Sequence, residues 1–442
     1  MNFKWLVLPA MAVSLSAHAD TDIDALKKEV EALQQRIELM EEADKAEAET
    51  AAQSQQVAGK ESRGNTFNPG ISLIFNGRYA DFSRDPEEYT LPGFSEGPHS
   101  ELGPQGFSIG ETELSISGNA DDLFYGWATL ALHDDGGELE LDLEEAYLET
   151  LSMPAGTRVR AGRFYSAIGY LNQQHPHAWD FYDAPLIYRG LFGNQLKNDG
   201  LQASVVLPTD LYLEFGAEAG TGDNYPGANS TDDIGSWTLY GLTGGDIGVS
   251  HSWQLGLSYW DASDINDRSG GGHAHDHDAG GHETSFSGEQ SIAGLNAIYK
   301  WAPNGNPRNQ NFKLQFEYFD SQSDGDLLLE EETTTGTSTL NQDQSGFYAQ
   351  AIYQFRPQWA AGIRYDQVDS KATGSEPDVI DEAGLDAGGH KPERYGAMIQ
   401  WAHSEYSRIR LQYNYDKSMP EGEHEVYLQY TLSLGAHPAH QF

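Results

Sequence analysis

The sequence predicts an all-β fold: a 16-stranded antiparallel transmembrane β-barrel preceded by a short N-terminal coiled-coil helix. Three observations carry this expectation. From about residue 70 onward, apolar and polar residues alternate in segments of roughly 8–14 residues, the period of a strand with two unlike faces. The gaps between segments alternate between short and mostly long, as periplasmic turns and extracellular loops do in outer-membrane barrels. No stretch reaches the ~18 consecutive apolar residues that a spanning helix needs.

Taken in order, residues 1–19 read as a signal peptide. Lys4 supplies the positive charge, Trp5 to Ala17 is mostly apolar, and Ala17-His18-Ala19 is a small-x-small cleavage site. The protein is therefore expected to leave the cytoplasm. Residues 20–45 read as a coiled-coil helix, with Ile23, Val30 and Ile37 at one heptad position and Leu26, Leu33 and Met40 at the other. So narrow an apolar seam points to self-association, with the helix in the periplasm. Residues 46–69 lose the period and read as a linker, and 70–442 as the barrel.

The expected strands are 70–82, 106–118, 123–133, 141–151, 157–164, 198–207, 210–219, 236–244, 247–261, 288–301, 310–322, 343–355, 358–369, 393–403, 406–416 and 424–434. An even count with both ends on the short-turn side fits closure. Trp237, Trp260, Trp301, Trp359 and Trp401 fall near strand ends, where an interfacial aromatic belt is expected. Phe442 supplies a terminal aromatic.

Composition narrows the function. The 442 residues contain 68 Asp+Glu against 26 Lys+Arg, a formal charge of −42, and no Cys. Nucleic acid is excluded as a partner, because a phosphate backbone must be met by positive charge. Thiolate metal sites and disulfides are excluded too. A sixteen-strand closure encloses a water-filled lumen, so inward positions are expected to be polar. Glu111, Glu113, Arg158, Arg160, Arg408 and Arg410 are the candidate pore-wall residues, with Arg158 and Arg160 equally open to a structural role in cross-strand ion pairs. The stretch 165–197 is the longest gap and is rich in Tyr, Phe, Trp and Leu. Exposed, it would be an aggregation hazard, so it is expected to fold into the lumen as a constriction loop. That would place His175, His177, Asp180, Asp183, Arg189 and Lys197 at the narrowing.

A metal-binding pattern stands out at 262–287, an expected extracellular loop. His273, His275 and His277 alternate, His282 follows, and Asp276 and Asp278 lie between, among glycines that let the backbone wrap. In an extended segment alternate residues share a face, and imidazole with carboxylate suits Zn²⁺ while leaving Cu²⁺ and Ni²⁺ open. His175 with His177, and His437 with His440, are weaker secondary candidates. No catalytic nucleophile or metalloprotease spacing is present, so the chain is read as a non-enzyme that requires no cofactor.

Several short motifs carry a resemblance. Glu145-Ala-Tyr-Leu-Glu, Arg160-Ala-Gly-Arg-Phe-Tyr, Ile168-Gly-Tyr-Leu-Asn, His175-Pro-His, Asp183-Ala-Pro-Leu and Gly200-Leu-Gln resemble the phosphate-selective porin (porin O and P) superfamily. The His-rich loop and His-Pro-Ala-His-Gln-Phe ending resemble its zinc-regulated outer-membrane branch. The resemblance implies a sixteen-stranded barrel, a homotrimer in outer-membrane lipid, and passive solute passage. This chain lacks the wealth of basic residues that phosphate channels use, and so acidic a pore should concentrate cations. The expectation is a porin that favours cations, divalent ones above all, and assists zinc capture and uptake. Alternatives are a general or phosphate-selective porin with an incidental His loop, or a barrel that anchors a surface adhesin or receptor.

Overall fold

A computed structural model describes residues 69–435 apart from 96, 98–99, 136–137, 229–232, 271–282 and 331–334. The expected signal peptide, the expected coiled-coil helix of 20–45, the cluster His273, His275, Asp276, His277, Asp278 and His282, and the pair His437 and His440 lie outside the described residues.

The sheet is built from β1 (Gly70–Phe82), β2 (Gly106–Ser108 resuming as Thr112–Asn119), β3 (Phe124–Asp135), β4 (Glu138–Thr150), β5 (Thr157–Tyr165), β6 (Lys197–Val206), β7 (Tyr212–Gly220) and β8 (Ser236–Ile247). It continues through β9 (His251–Gly270), β10 (Glu283–Trp301), β11 (Asn311–Glu330), β12 (Thr335–Arg356), β13 (Trp359–Thr373), β14 (Glu393–Ser404), β15 (Ser407–Lys417) and β16 (Glu423–Gly435). Each strand pairs antiparallel with the next, and β16 returns onto β1 from Ser72↔Gly435 to Phe82↔Glu425. The ring is closed, so each strand has a hydrogen-bonded neighbour on both sides, although β4 pairs with β5 only over Ala146–Glu149.

The faces are reversed from those of a water-soluble protein. On β15, Ile409, Leu411 and Tyr413 are exposed on the outside while Arg410, Gln412 and Asn414 are buried inside. On β1, Ile71, Leu73, Phe75 and Tyr79 face out and Ser72, Asn76 and Arg78 face in. An apolar exterior over a polar interior is what hydrocarbon outside and a lumen inside select. Trp359 pairs with Trp401 across β13 and β14 at the short-turn end, where an aromatic girdle is expected.

Each expected strand has its counterpart, but β9 to β12 run longer, at 20, 19, 20 and 22 residues. The expected loops 262–287 and 323–342 are therefore mostly wall. The reason is visible on β11. Leu314, Phe316 and Tyr318 face outward first, then Asp320, Gln322, Asp324 and Asp326 do, while Leu327 and Leu329 point inward. Past the bilayer the exterior meets water and the interior meets packed protein, so the pattern inverts and looks like loop in the sequence. Trp260 is corrected by the same geometry: it lies within β9, 1% exposed, inside the barrel rather than in a belt.

The lumen is also less open than expected. Ile265, Phe286, Ile292, Phe319, Leu340, Tyr348 and Val368 form an apolar inner wall on β9 to β13, packed against Ile168, Leu171, Leu186, Ile187, Leu191 and Phe192 of the stretch 166–196. Burying side chains of this size contributes roughly 1.5–3 kcal/mol each, enough to favour a filled interior on this side.

Candidate functional site

The constriction loop leaves β5 after Tyr165, enters the lumen and returns at Lys197 to start β6. Its neck is tied by Asn172, whose Nδ2 donates to the carbonyls of Ser166 (2.8 Å) and Leu196 (2.9 Å) while its Oδ1 accepts from Leu196 N (2.8 Å). The helix α1 (Leu186–Phe192) then packs against β12 and β13. Glu317 of β11, fully buried, accepts from Tyr170 N (2.6 Å), Leu171 N (3.0 Å) and Tyr188 Oη (3.0 Å). Gly169 makes this possible. It sits at φ +79°, and a Cβ there would come within 2.6 Å of the Glu317 carboxylate.

Basic residues of the far wall hold the loop by its carbonyls and its two aspartates. Arg408 donates to His177 O (2.6 Å), Arg410 to Trp179 O (2.7 Å) and Arg394 to Ala184 O (2.6 Å). Asp183 pairs with Arg364 (2.8 Å) and Arg394 (2.7 Å), and Asp180 pairs with Lys313. Burial alone would raise the Asp183 carboxyl, but the two guanidiniums hold it well below the usual carboxylate range. Asp180 and Asp183 are thus docking residues, compensated by cations. Arg189, on α1, is buried over the Tyr89 ring, and Lys197 pairs with Asp142.

On the opposite side the loop leaves space. A cavity of about 710 Å³ lies toward the short turns, lined by Glu113, Glu145, His175, His177, Arg158 and Arg160. A second, of about 330 Å³, lies toward the long loops, lined by Glu111, His133, Asp142, Glu144, Arg163 and Arg189. Tyr165 lines both, and the segment His175-Pro176-His177 runs between them.

That partition brings two imidazoles against three carboxylates. His175 Nδ1 lies 3.1 Å from Glu113 and 3.4 Å from Glu144, and its Nε2 lies 2.9 Å from Glu145. His177 Nδ1 lies 2.5 Å from the other Glu113 oxygen, and the two imidazoles stack at 5.5 Å. Burial favours a neutral His175, but the three carboxylates outweigh it and push its pKa well above the ordinary imidazole range. Ligand atoms of Glu113, His175 and His177 all fall within 4.8 Å of one another, a nitrogen and oxygen set suited to a first-row divalent cation.

Of the expected pore-wall residues, Glu111 and Glu113 flank this partition, one facing each cavity. Arg158 and Arg160 line the larger cavity in ion pairs with Glu214 (3.2 Å) and Glu149 (2.8 Å), and Arg160 also stacks over Tyr147. Arg408 and Arg410 line neither cavity, being turned onto the loop backbone. Sequence reasoning missed His133, Glu144, Glu317, Arg364 and Arg394. For Glu144 a signal existed: Leu139, Leu141 and Leu143 keep one phase and Leu148 resumes in the other, so the alternation slips at Glu144-Glu145.

No protein-family model matches the chain. An uncharacterised protein of Aquifex aeolicus (strain VF5) is 28% identical over 406 residues, spanning 85% of this chain and 80% of that protein. Among solved structures, OmpF of Salmonella typhi in complex with daunomycin matches with a TM-score of 0.50 at 12% identity, over 83% of this chain and 97% of that one. The outer membrane channel DcaP of Acinetobacter baumannii matches at 0.49, with 11% identity and coverage of 83% and 97%. A loop L8 deletion mutant of OmpT, an outer membrane protein of Vibrio cholerae, also matches at 0.49, with 9% identity and coverage of 83% and 99%. The OmpF likeness is one of fold: a closed porin-type barrel.

Proposed function

We propose that the chain is an outer-membrane porin for passive passage of cations, with divalent metal ions as its favoured cargo. The observation that carries this reading is the partition: two imidazoles and the carboxylates of Glu113, Glu144 and Glu145 converge between the two lumen cavities. Three carboxylates outnumber the charge that two imidazoles can carry, and a cation among them offsets the surplus. An ion moving from one cavity to the other along this side passes that cluster. The basic side chains offer an anion less: Arg158 and Arg160 are paired with glutamates, and Arg408 and Arg410 are spent on the loop. The apolar exterior supports placement in a bilayer, and the His-rich segment 273–282 would concentrate metal outside the pore.

Reversal potential across a planar bilayer in a KCl gradient tests the reading. The expected sign is cation-selective, with current reduced by added Zn²⁺ and the reduction relieved in the E113Q/H177Q variant. An anion-selective sign would instead establish the phosphate-type porin, and absence of conductance would favour the adhesin or receptor.

A further inference from the structure

Two irregularities in the wall bring together side chains that a regular sheet would keep apart. On β4 a bulge interrupts pairing with β3: Thr129 opposes Glu145 and Leu130 opposes Leu143, leaving Glu144 as the extra residue. Strict alternation would send either Glu144 or Glu145 outward. Both are inside, at 2% and 7% exposure. Bulges of this kind re-aim a side chain at the expense of the ladder. The second irregularity is the break in β2 at 109–111, where Gly110 adopts φ +50° with its Cβ position 2.4 Å from the Asn76 carbonyl oxygen, and Glu111 follows it. Between the two strands β3 carries His133.

One ligand atom each from Glu111, His133 and Glu144 lie within 4.8 Å of one another, beside the smaller cavity. Among the described residues, Glu111 Oε1 and Glu144 Oε2 are buried and accept no hydrogen bond. Glu144 Oε2 has an ion pair with His175 Nδ1 at 3.4 Å, which makes no hydrogen bond; a buried anionic oxygen so weakly matched is costly, and a cation beside it removes that cost. We propose that Glu111, His133 and Glu144 form a second divalent-metal site on the long-loop side of the partition. Binding there stands on this geometry; its role in transport rests on the cation path proposed above. Glu144 is the link, its Oε2 lying 3.4 Å from His175 Nδ1. An ion loaded from the smaller cavity reaches Glu113, His175 and His177 by exchanging ligands at Glu144, and a second ion arriving behind it weakens the hold on the first, as conduction through adjacent sites requires.

The test is calorimetric titration of ZnCl₂ into the purified full-length protein in detergent, with His273, His275, His277 and His282 replaced by Ala to silence the external cluster. H133Q should abolish one equivalent of Zn²⁺ per chain and spare a second. E113Q/H177Q should do the converse, and E144Q should weaken both. Unchanged stoichiometry and affinity in H133Q would overturn the second site while leaving the cation path standing. Indifference to both H133Q and E113Q/H177Q would remove the cation path as well. If H133Q does not fold, judged by heat-dependent gel migration, E111Q replaces it, since it leaves β3 and the bulge untouched.

Discussion

Two arcs of the same lumen wall treat the constriction loop in opposite ways. On β11 to β15 the loop is sealed down: apolar side chains interdigitate, Glu317 gathers its amides, and Arg364, Arg394, Arg408 and Arg410 grip its carbonyls and Asp183. On β2 to β5 the loop meets the wall through His175 and His177 and leaves a cavity on either side of them, and the charges facing these cavities are mostly carboxylates. Formal charge alone does not decide where ions can go. The basic side chains of the first arc are turned onto the loop, whereas the acidic arc holds more carboxylates than nearby cations match and faces the two cavities.

The largest effect should come from breaking the sealed arc. Asp183→Ala takes from Arg364 and Arg394 the loop's carboxylate and leaves them Asp366 of the wall, a loss of up to about 3–5 kcal/mol, the usual cost of removing one member of a buried pair. The expected outcome is a loop released from the wall, read as higher single-channel conductance and new proteolytic cleavage within 166–196. Gly169→Ala should act in the same direction more weakly. The strained positive φ costs roughly 1–3 kcal/mol, and the added methyl presses on Glu317, so thermal stability falls with a smaller rise in conductance.

The acidic arc should respond differently. Glu113→Gln with Glu145→Gln should lower cation selectivity in reversal-potential measurements while leaving conductance and protease resistance close to the parent. If that variant instead releases the loop, the division between a gripping arc and a conducting arc is wrong. The smallest effect is a pH response. Because the folded-state pKa of Asp183 lies below its unfolded value of ~3.9, its stabilisation is fully present above that value and is lost only as pH falls further. Pepsin at pH 4 should therefore still leave 166–196 uncut, and cleavage should begin only in stronger acid.

Much of this was legible in the chain. Period-two alternation gave all sixteen strands, and the surplus of aromatics in 165–197 implied a loop that had to be buried. The same rule failed where its premise changed. Above the bilayer the outside becomes wet, so Asp324 and Asp326 read as loop although they continue β11. His175 and His177 were visible as a spaced pair, but their carboxylate partners come from β2 and β4, some 30 to 64 residues away in sequence.

The sequence by itself determined a closed barrel, its strand order and the sign of its charge, because each follows from local alternation and from counting. Only the tertiary structure decided which charges are spent. Whether an arginine grips a carbonyl or faces a cavity, and whether two adjacent glutamates share one face, depends on a loop folded back across the lumen and on one extra residue in a ladder. Those are facts of three-dimensional register, to which a one-dimensional pattern is nearly blind.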